Sequence, residues 1–126
     1  MLITENLKYT SEHEWVDVLG DGRIRVGITD YAQDALGDVV FVQLPTVDAR
    51  LGGHDLLAEV ESTKSVAEVY APTPGTVSEA NQELSIHPEL INQDPYGAGW
   101  FCVLTVDDPA LLDGLLDAEA YRALTE

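Results

Sequence analysis

Between Trp15 and Ile28 apolar and polar positions alternate on a two-residue period, interrupted at Gly20-Asp21-Gly22. That period turns one face of each run toward a core, and the Gly-Asp-Gly break is a hairpin signal, so the stretch predicts two antiparallel strands. Thr29 followed by DYAQDAL and then Gly37 predicts a short helix over residues 30–36, with Thr29 as N-cap. Residues 38–44, containing VVFVQL, are dense in β-branched and aromatic side chains and are closed by Pro45, which predicts a strand. After a Gly52-Gly53 turn, two β-prone arms at about residues 56–62 and 66–71 flank a polar STKS tip. Pro72, Pro74 and Gly75 then form a turn before TVSEAN.

The last third of the chain changes character. Residues 87–92, HPELIN, predict a single helical turn with Pro88 near its start, DPYGAGW predicts a loop, and residues 99–106 predict a final strand. Asp108-Pro109 opens a helical stretch through Leu116 that restarts at Asp117, itself a cap candidate. Many short strands with brief helical pieces, and no room for strand-helix-strand crossovers, predict a mainly β barrel or sandwich.

Composition narrows the possible functions. A chain of 126 residues suits one domain spanning residues 1–126, of a size that buries roughly two-thirds of its unfolded surface. The formal charge of -17 argues against nucleic acid and anionic membranes, because the phosphate term is repulsive and no basic stripe offsets it. The acids are scattered, which suits a solvated surface and also an acidic protein steered toward basic docking surfaces. The single cysteine, Cys102, excludes an internal disulfide, so any dithiol chemistry needs a cofactor. The first residues form no leader pattern, and no run of about 18 apolar residues occurs. A soluble, cytoplasmic protein is the expectation.

Most candidate chemistry is weak on inspection. His13, His54 and His87 lack metal-ligand spacing, and His87 before Pro88 suits a turn. Ser11-Glu12-His13-Glu14 sets a hydroxyl near a base in sequence, but sequence neighbours rarely face each other and no oxyanion-hole motif accompanies them. Gly20, Gly22 and Gly27 do not fit a phosphate-binding loop. Lys64 stands out: it is one of only two lysines, with Lys8, and sits in STKS between the two arms. A hairpin tip would project it into water, held by no side-chain packing, with Ser62, Thr63 and Ser65 leaving approach open to an acylating enzyme. An inert turn lysine fits the same pattern.

The segments KYTSEHEWV (8–16), VGITDYAQDALGDVVFVQLP (26–45), VESTKS (60–65), VYAPTPG (69–75), ELINQDPYGAGW (89–100) and LLDAEAY (115–121) closely resemble the glycine cleavage system H-protein family, a relative of lipoyl and biotinyl carrier domains. The resemblance covers nearly the whole chain. It implies a flattened β-barrel, a barrel-sandwich hybrid, with short helices including a C-terminal segment. It also implies lipoic acid in amide linkage to Lys64, the lysine of the E-S-x-K segment. It further implies a carrier, not an enzyme. A pyridoxal-phosphate glycine decarboxylase would load an aminomethyl group on the lipoyl disulfide, a tetrahydrofolate-dependent aminomethyltransferase would take the methylene unit, and dihydrolipoamide dehydrogenase would reoxidise the dithiol. Lipoate-attaching enzymes are further implied partners, and a monomer is expected.

Glu14 is the family-matched candidate for sheltering a cationic adduct, although read alone it is a surface acid near a strand start. Glu12 departs from a frequent small residue, Glu68 from a common aspartate, and Thr63 is a less usual choice. Lipoyl domains of 2-oxo-acid dehydrogenases centre on D-K-A, and biotin carriers flank their lysine with methionine, whereas the only methionine here is Met1. An H-like relay donating lipoyl or octanoyl groups to other carriers shares the same features, and an acidic interaction module with unmodified Lys64 is a further alternative.

Overall fold

The computed structural model describes residues 2–125. Among these residues nine strands are arranged in two antiparallel sheets: β1 (Lys8–Tyr9), β2 (Glu14–Gly20), β3 (Arg23–Ile28), β4 (Val39–Gln43), β5 (Arg50–Leu51), β6 (Leu56–Ser62), β7 (Val66–Tyr70), β8 (Gly75–Ala80) and β9 (Cys102–Val106). The larger sheet runs β1-β2-β3-β9-β8-β5 and the smaller runs β4-β6-β7. The result is a mainly β fold, as the strand pattern predicts, in the flattened barrel-sandwich form that the family resemblance implies.

Alternation builds the interior. Val16, Ile24, Val26, Leu104 and Val77 from the large sheet meet Val42, Val60 and Val69 from the small one, all buried. The helices α1 (Asp30–Leu36), α2 (Glu83–Ile86) and α3 (Leu90–Gln93) seal the ends with Leu36, Leu84 and Ile91. The outer face of β1 and β2 would leave Tyr9 and Trp15 in water. Instead α4 (Ala118–Thr125) lays Ala118 and Tyr121 over it, with the Tyr9 and Tyr121 rings stacked at 4.5 Å. A β-carbon at Gly27 would lie 2.6 Å from the Trp15 ring, so only glycine fits on the strand facing it.

Several predicted boundaries move, each for a local reason. The turn expected over 87–92 is α3, which starts later, at Leu90, and a second turn absent from the sequence reading, α2, ends before it at Ile86. Pro88 forces the preceding residue out of the helical region, and His87 has φ -127°, ψ 68°. The last strand begins at Cys102 and not at residue 99. Gly99 is packed under the carbonyls of Leu90 and Asp94, and the Gly99 amide donates to Asp94 O at 2.9 Å, which holds it in the preceding loop. The first carboxy-terminal segment is a 3-10 helix, Pro109–Gly114, with the Asp108 side chain accepting from Ala110 N. Strands β1 and β5, two residues each, carry no readable periodicity in the sequence.

Helix α1 and hairpin β6–β7 meet at one corner of the molecule, where Lys64 crosses Gly37. Thr29 caps α1, its hydroxyl accepting from Ala32 N at 3.3 Å. Asn92 of α3 braces the other end: its amide donates to Gly37 O at 2.9 Å and Gln33 Oε1 at 3.0 Å, and its oxygen accepts from Val39 N at 2.9 Å. These bonds hold the α1–β4 corner rigidly against the small sheet.

Candidate functional site

The β6–β7 hairpin turns through Thr63, Lys64 and Ser65, and Ser62 builds that turn. Its backbone N donates to Ser65 O at 2.8 Å, and its hydroxyl accepts from Lys64 N at 3.2 Å and Ser65 N at 3.1 Å. Thr63 N donates to Asp38 O at 3.0 Å, tying the tip to the α1–β4 corner. The hydroxylated neighbours therefore form the turn as well as leaving it open.

Lys64 is exposed, as expected for a tip, but its chain is not free in water. The methylenes lie across Gly37, so that a β-carbon there would be 2.9 Å from Lys64 Cε. Gly37 has φ 81°, ψ -160°, a conformation essentially restricted to glycine. The expectation that no packing holds the lysine is thus corrected: glycine's missing side chain gives Lys64 a resting groove at the C-terminal end of α1, where a cation is also electrostatically favoured.

Beside the tip lies a cleft of about 300 Å³. Ser65 and Ala67 form its near side, Ala32, Ala35, Leu36, Ile28 and Val69 its apolar walls, and Glu12, Glu14 and Glu68 its acidic part, with His13 and Tyr31 completing it. Ala32 and Ala35, three apart on α1, are small enough to leave the space open. A larger neighbouring cavity, about 430 Å³, shares Glu12 and Glu14 but is lined by no residue of the hairpin tip.

Glu14 is not a surface acid: it is 2% exposed. Because β2 alternates, Glu14 shares the inward face with Val16, and it spans the sheets. Oε1 accepts from Thr10 Oγ1 at 2.6 Å and Oε2 accepts from Tyr70 N on β7 at 3.3 Å. Burial raises its pKa, with the Thr10 and Tyr70 hydrogen bonds opposing. Glu12 Oε1 pairs with His54 Nε2 at 2.8 Å, and His54 is tilted against the Tyr70 ring at 5.0 Å. The Glu68 carboxylate foremost pushes the Tyr70 phenol above its ordinary value, a sign of the negative potential along this side.

The remaining sequence candidates disperse. His13 Nδ1 is 2.7 Å from Tyr121 Oη, and no bond joins its ring to Ser11. His87 pairs with Glu89 at 3.2 Å. No group of three or more metal-ligating side chains occurs among the described residues. Cys102 is buried on β9, where burial pushes its thiol up to about 12, so it stays protonated at neutral pH. No helix among the described residues is long and apolar enough to cross a membrane.

An exposed primary amine on a braced hairpin can carry an amide-linked arm, and the adjacent cleft is apolar along its walls and anionic beyond them. The residues present fit a lipoyl group on Lys64. Gly37, Thr10, Tyr70 and Tyr121 had no site-specific signal in the sequence. Gly37 read only as a helix stop, and its positive φ together with a lysine across the fold is visible only in three dimensions.

The glycine cleavage H-protein family model matches residues 7–126. The glycine cleavage system H protein of Mycobacterium avium (strain 104) is 57% identical over 129 residues, covering 98% of this chain and 98% of the relative. That of Coprothermobacter proteolyticus is 51% identical over 122 residues, covering 97% and 96%. The crystal structure of a glycine cleavage system H protein from Mycobacterium marinum superposes with a TM-score of 0.87 at 40% identity, covering 98% of both chains.

Proposed function

The chain belongs to the glycine cleavage H-protein family, and from that premise we propose that it is a single-domain carrier bearing lipoic acid in amide linkage on Lys64. In this reading it takes an aminomethyl group from a pyridoxal-phosphate glycine decarboxylase to a tetrahydrofolate-dependent aminomethyltransferase. Dihydrolipoamide dehydrogenase then takes its electrons. The observation that carries the proposal is an exposed lysine at a hairpin tip beside a cleft that combines apolar walls with a buried carboxylate.

The lipoyl group supplies a disulfide that accepts a one-carbon amine and two electrons, chemistry for which the lone buried thiol of Cys102 is unsuited. The protein's own residues do the rest. Ser62 and Thr63 hold the tip still, so that Lys64 is presented at a fixed place to each partner. Ala32, Ala35, Leu36 and Val69 exclude water from an apolar arm lying in the cleft. Glu14, with Glu12 and Glu68 nearby, pairs with a cationic cargo and keeps its amine protonated and unreactive. The buried Glu14 carboxylate is costly when empty, and a cation relieves that cost, so occupancy of the cleft is coupled to charge.

Docking follows from the outer faces. The small sheet exposes Phe41 and Val66 among Glu59, Glu61 and Glu68, around Lys64. On the opposite face of the molecule, Arg23, Arg25 and Arg50 lie on the outer surface of the large sheet. This polarity turns the hairpin toward basic partner surfaces.

The test is to express the full chain with a lipoate-attaching enzyme, weigh the intact protein and map the modified peptide. A lipoyl mass on Lys64, lost in Lys64→Arg together with glycine-dependent carbon dioxide exchange, is the expected result. Exchange that persists in Lys64→Arg overturns the proposal. A lipoylated protein that supports no exchange with cognate partners points instead to a relay of lipoyl groups.

A further inference from the structure

The cleft wall contains a histidine that the proposed carrier chemistry leaves idle, joined to the C-terminal helix by a chain of hydrogen bonds. Tyr121 Oη lies 2.7 Å from His13 Nδ1 and 2.7 Å from Thr29 Oγ1. The Thr29 hydroxyl also accepts from Ala32 N at 3.3 Å. Thr29 and Tyr121 are both fully buried, at 0% exposure, so each of their protons needs an acceptor inside the protein.

The directions of these bonds can be counted. If Thr29 donates to Tyr121, then Tyr121 donates to His13 Nδ1, and every buried proton finds an acceptor. His13 then carries its own proton on Nε2 and is neutral. The reverse order has His13 Nδ1–H donating to Tyr121 and Tyr121 donating to Thr29. Thr29 Oγ1 then accepts twice, and its buried proton has no acceptor among the described residues, at the cost that attends an orphaned donor. An imidazolium carries a proton on both nitrogens, so it must donate to Tyr121 and leaves one buried hydroxyl proton, that of Thr29 or of Tyr121, without an acceptor.

We propose that Tyr121 is a positioning residue that locks His13 as the neutral Nε2–H tautomer, so that near neutral pH the cleft presents a hydrogen-bond donor there and not a cation. The carboxylates facing His13 are Glu12 and Glu14 on its own segment and Glu68 on β7 across the cleft; the phenols are Tyr31 of α1, stacked on it at 4.5 Å, and Tyr121 of α4. The carboxylates alone would favour a charged ring. Burial lowers the His13 pKa against the opposing Glu12, and burial pushes the Tyr121 phenol up to about 12, so Tyr121 keeps the proton it donates.

The role of the lock rests on the carrier reading of the cleft. A second cation beside Glu14 would compete with the cargo's ammonium for the same carboxylates. A neutral ring leaves that negative potential to the cargo. The C-terminal helix thereby acts on the cleft without lining it, since α4 contributes no residue to the cleft wall.

The test begins with the full-length wild-type protein. Long-range nitrogen–proton spectra assign the His13 tautomer, and a titration follows its charge, neither of which depends on a variant folding. The Nε2–H form and a titration below ordinary histidine are expected; an Nδ1–H form overturns the lock. Tyr121→Phe keeps the ring stacked on Tyr9 and removes only the hydroxyl. It is expected to mix the tautomers and raise the His13 titration, whereas Thr29→Ser, which retains the relay hydroxyl, leaves both unchanged. An unaltered His13 in Tyr121→Phe also overturns the lock. In lipoylated, loaded protein, release of the cargo near neutral pH should quicken about tenfold in Tyr121→Phe, the order expected of one added unit charge in a partly buried cleft. The effect should vanish in a His13→Asn background, where no charge can form and Asn tolerates the positive φ of 72° at this position. A shifted tautomer with unchanged release leaves the lock standing but overturns its role in the cleft.

Discussion

Replacing Gly37 by alanine separates two demands that meet at one atom. Its φ of 81° and ψ of -160° lie where an L side chain costs roughly 1–3 kcal/mol of strain. The new methyl would also stand 2.9 Å from Lys64 Cε. That second contact is with the far end of a flexible side chain, which can swing aside, so backbone strain dominates the stability effect. At about 4 °C per kcal/mol for a domain of this length, Gly37→Ala should lower the melting temperature by about 4–12 °C. The swing has its own consequence: Lys64 loses its resting groove, and the initial rate of lipoate attachment by a purified ligase should fall. Gly22→Ala is the control, because its φ of 75° carries strain with nothing within 4 Å of the added carbon. It should destabilise the fold without slowing attachment. Urea unfolding of Gly37→Ala in wild-type and Lys64→Ala backgrounds decides the partition. A penalty that disappears in Lys64→Ala, or one below about 0.5 kcal/mol, refutes the assignment to backbone strain.

Two further expectations test the site's electrostatics. Glu14 binds its proton more tightly in the fold than in the unfolded chain, because burial raises its pKa. The Glu14 contribution to stability therefore falls as pH rises from the ordinary glutamate value of about 4.3 through the raised folded value, and then levels off. Glu14→Gln, which does not titrate, should gain on wild type across that window while losing retention of a cationic cargo; denaturant unfolding between pH 4 and 8 measures the first, and a gain that shrinks with pH would contradict it. Reversing charge at Glu59 and Glu61, which flank Phe41 and Gln43 on the small sheet, should slow association with the decarboxylase about tenfold at low salt and little at high salt. Arg23→Glu, on the opposite face, should not slow it; equal slowing by both would show that only net charge matters.

Much of this protein is readable before it folds. The two-residue alternation from Trp15 to Ile28, the Gly20-Asp21-Gly22 turn, Thr29 as the cap of α1 and the β6–β7 arms around Lys64 are local decisions, made by side-chain periodicity and by residues suited to particular backbone angles. The structure places them within a residue or two of where the pattern does. Lys64 is legible for the same reason: its environment is a turn, and turns are specified by their own few residues.

The cleft is not local, and no periodicity encodes it. Glu14 reads as a surface acid until β7 brings Tyr70 N to its carboxylate, 56 positions away in sequence. Gly37 is only a helix terminator until a hairpin tied to it through Thr63 and Asp38 lays a lysine over it. Tyr121 is only one residue of the last helical stretch in the sequence, and tertiary packing alone sets its hydroxyl between His13 and Thr29, 108 and 92 positions away. Sequence determined the strands, the turn and the exposed amine on it, because each depends on neighbours along the chain. Tertiary structure alone decided the burial, protonation and charge of the groups beside that amine, because those depend on desolvation and on partners that are neighbours only in space.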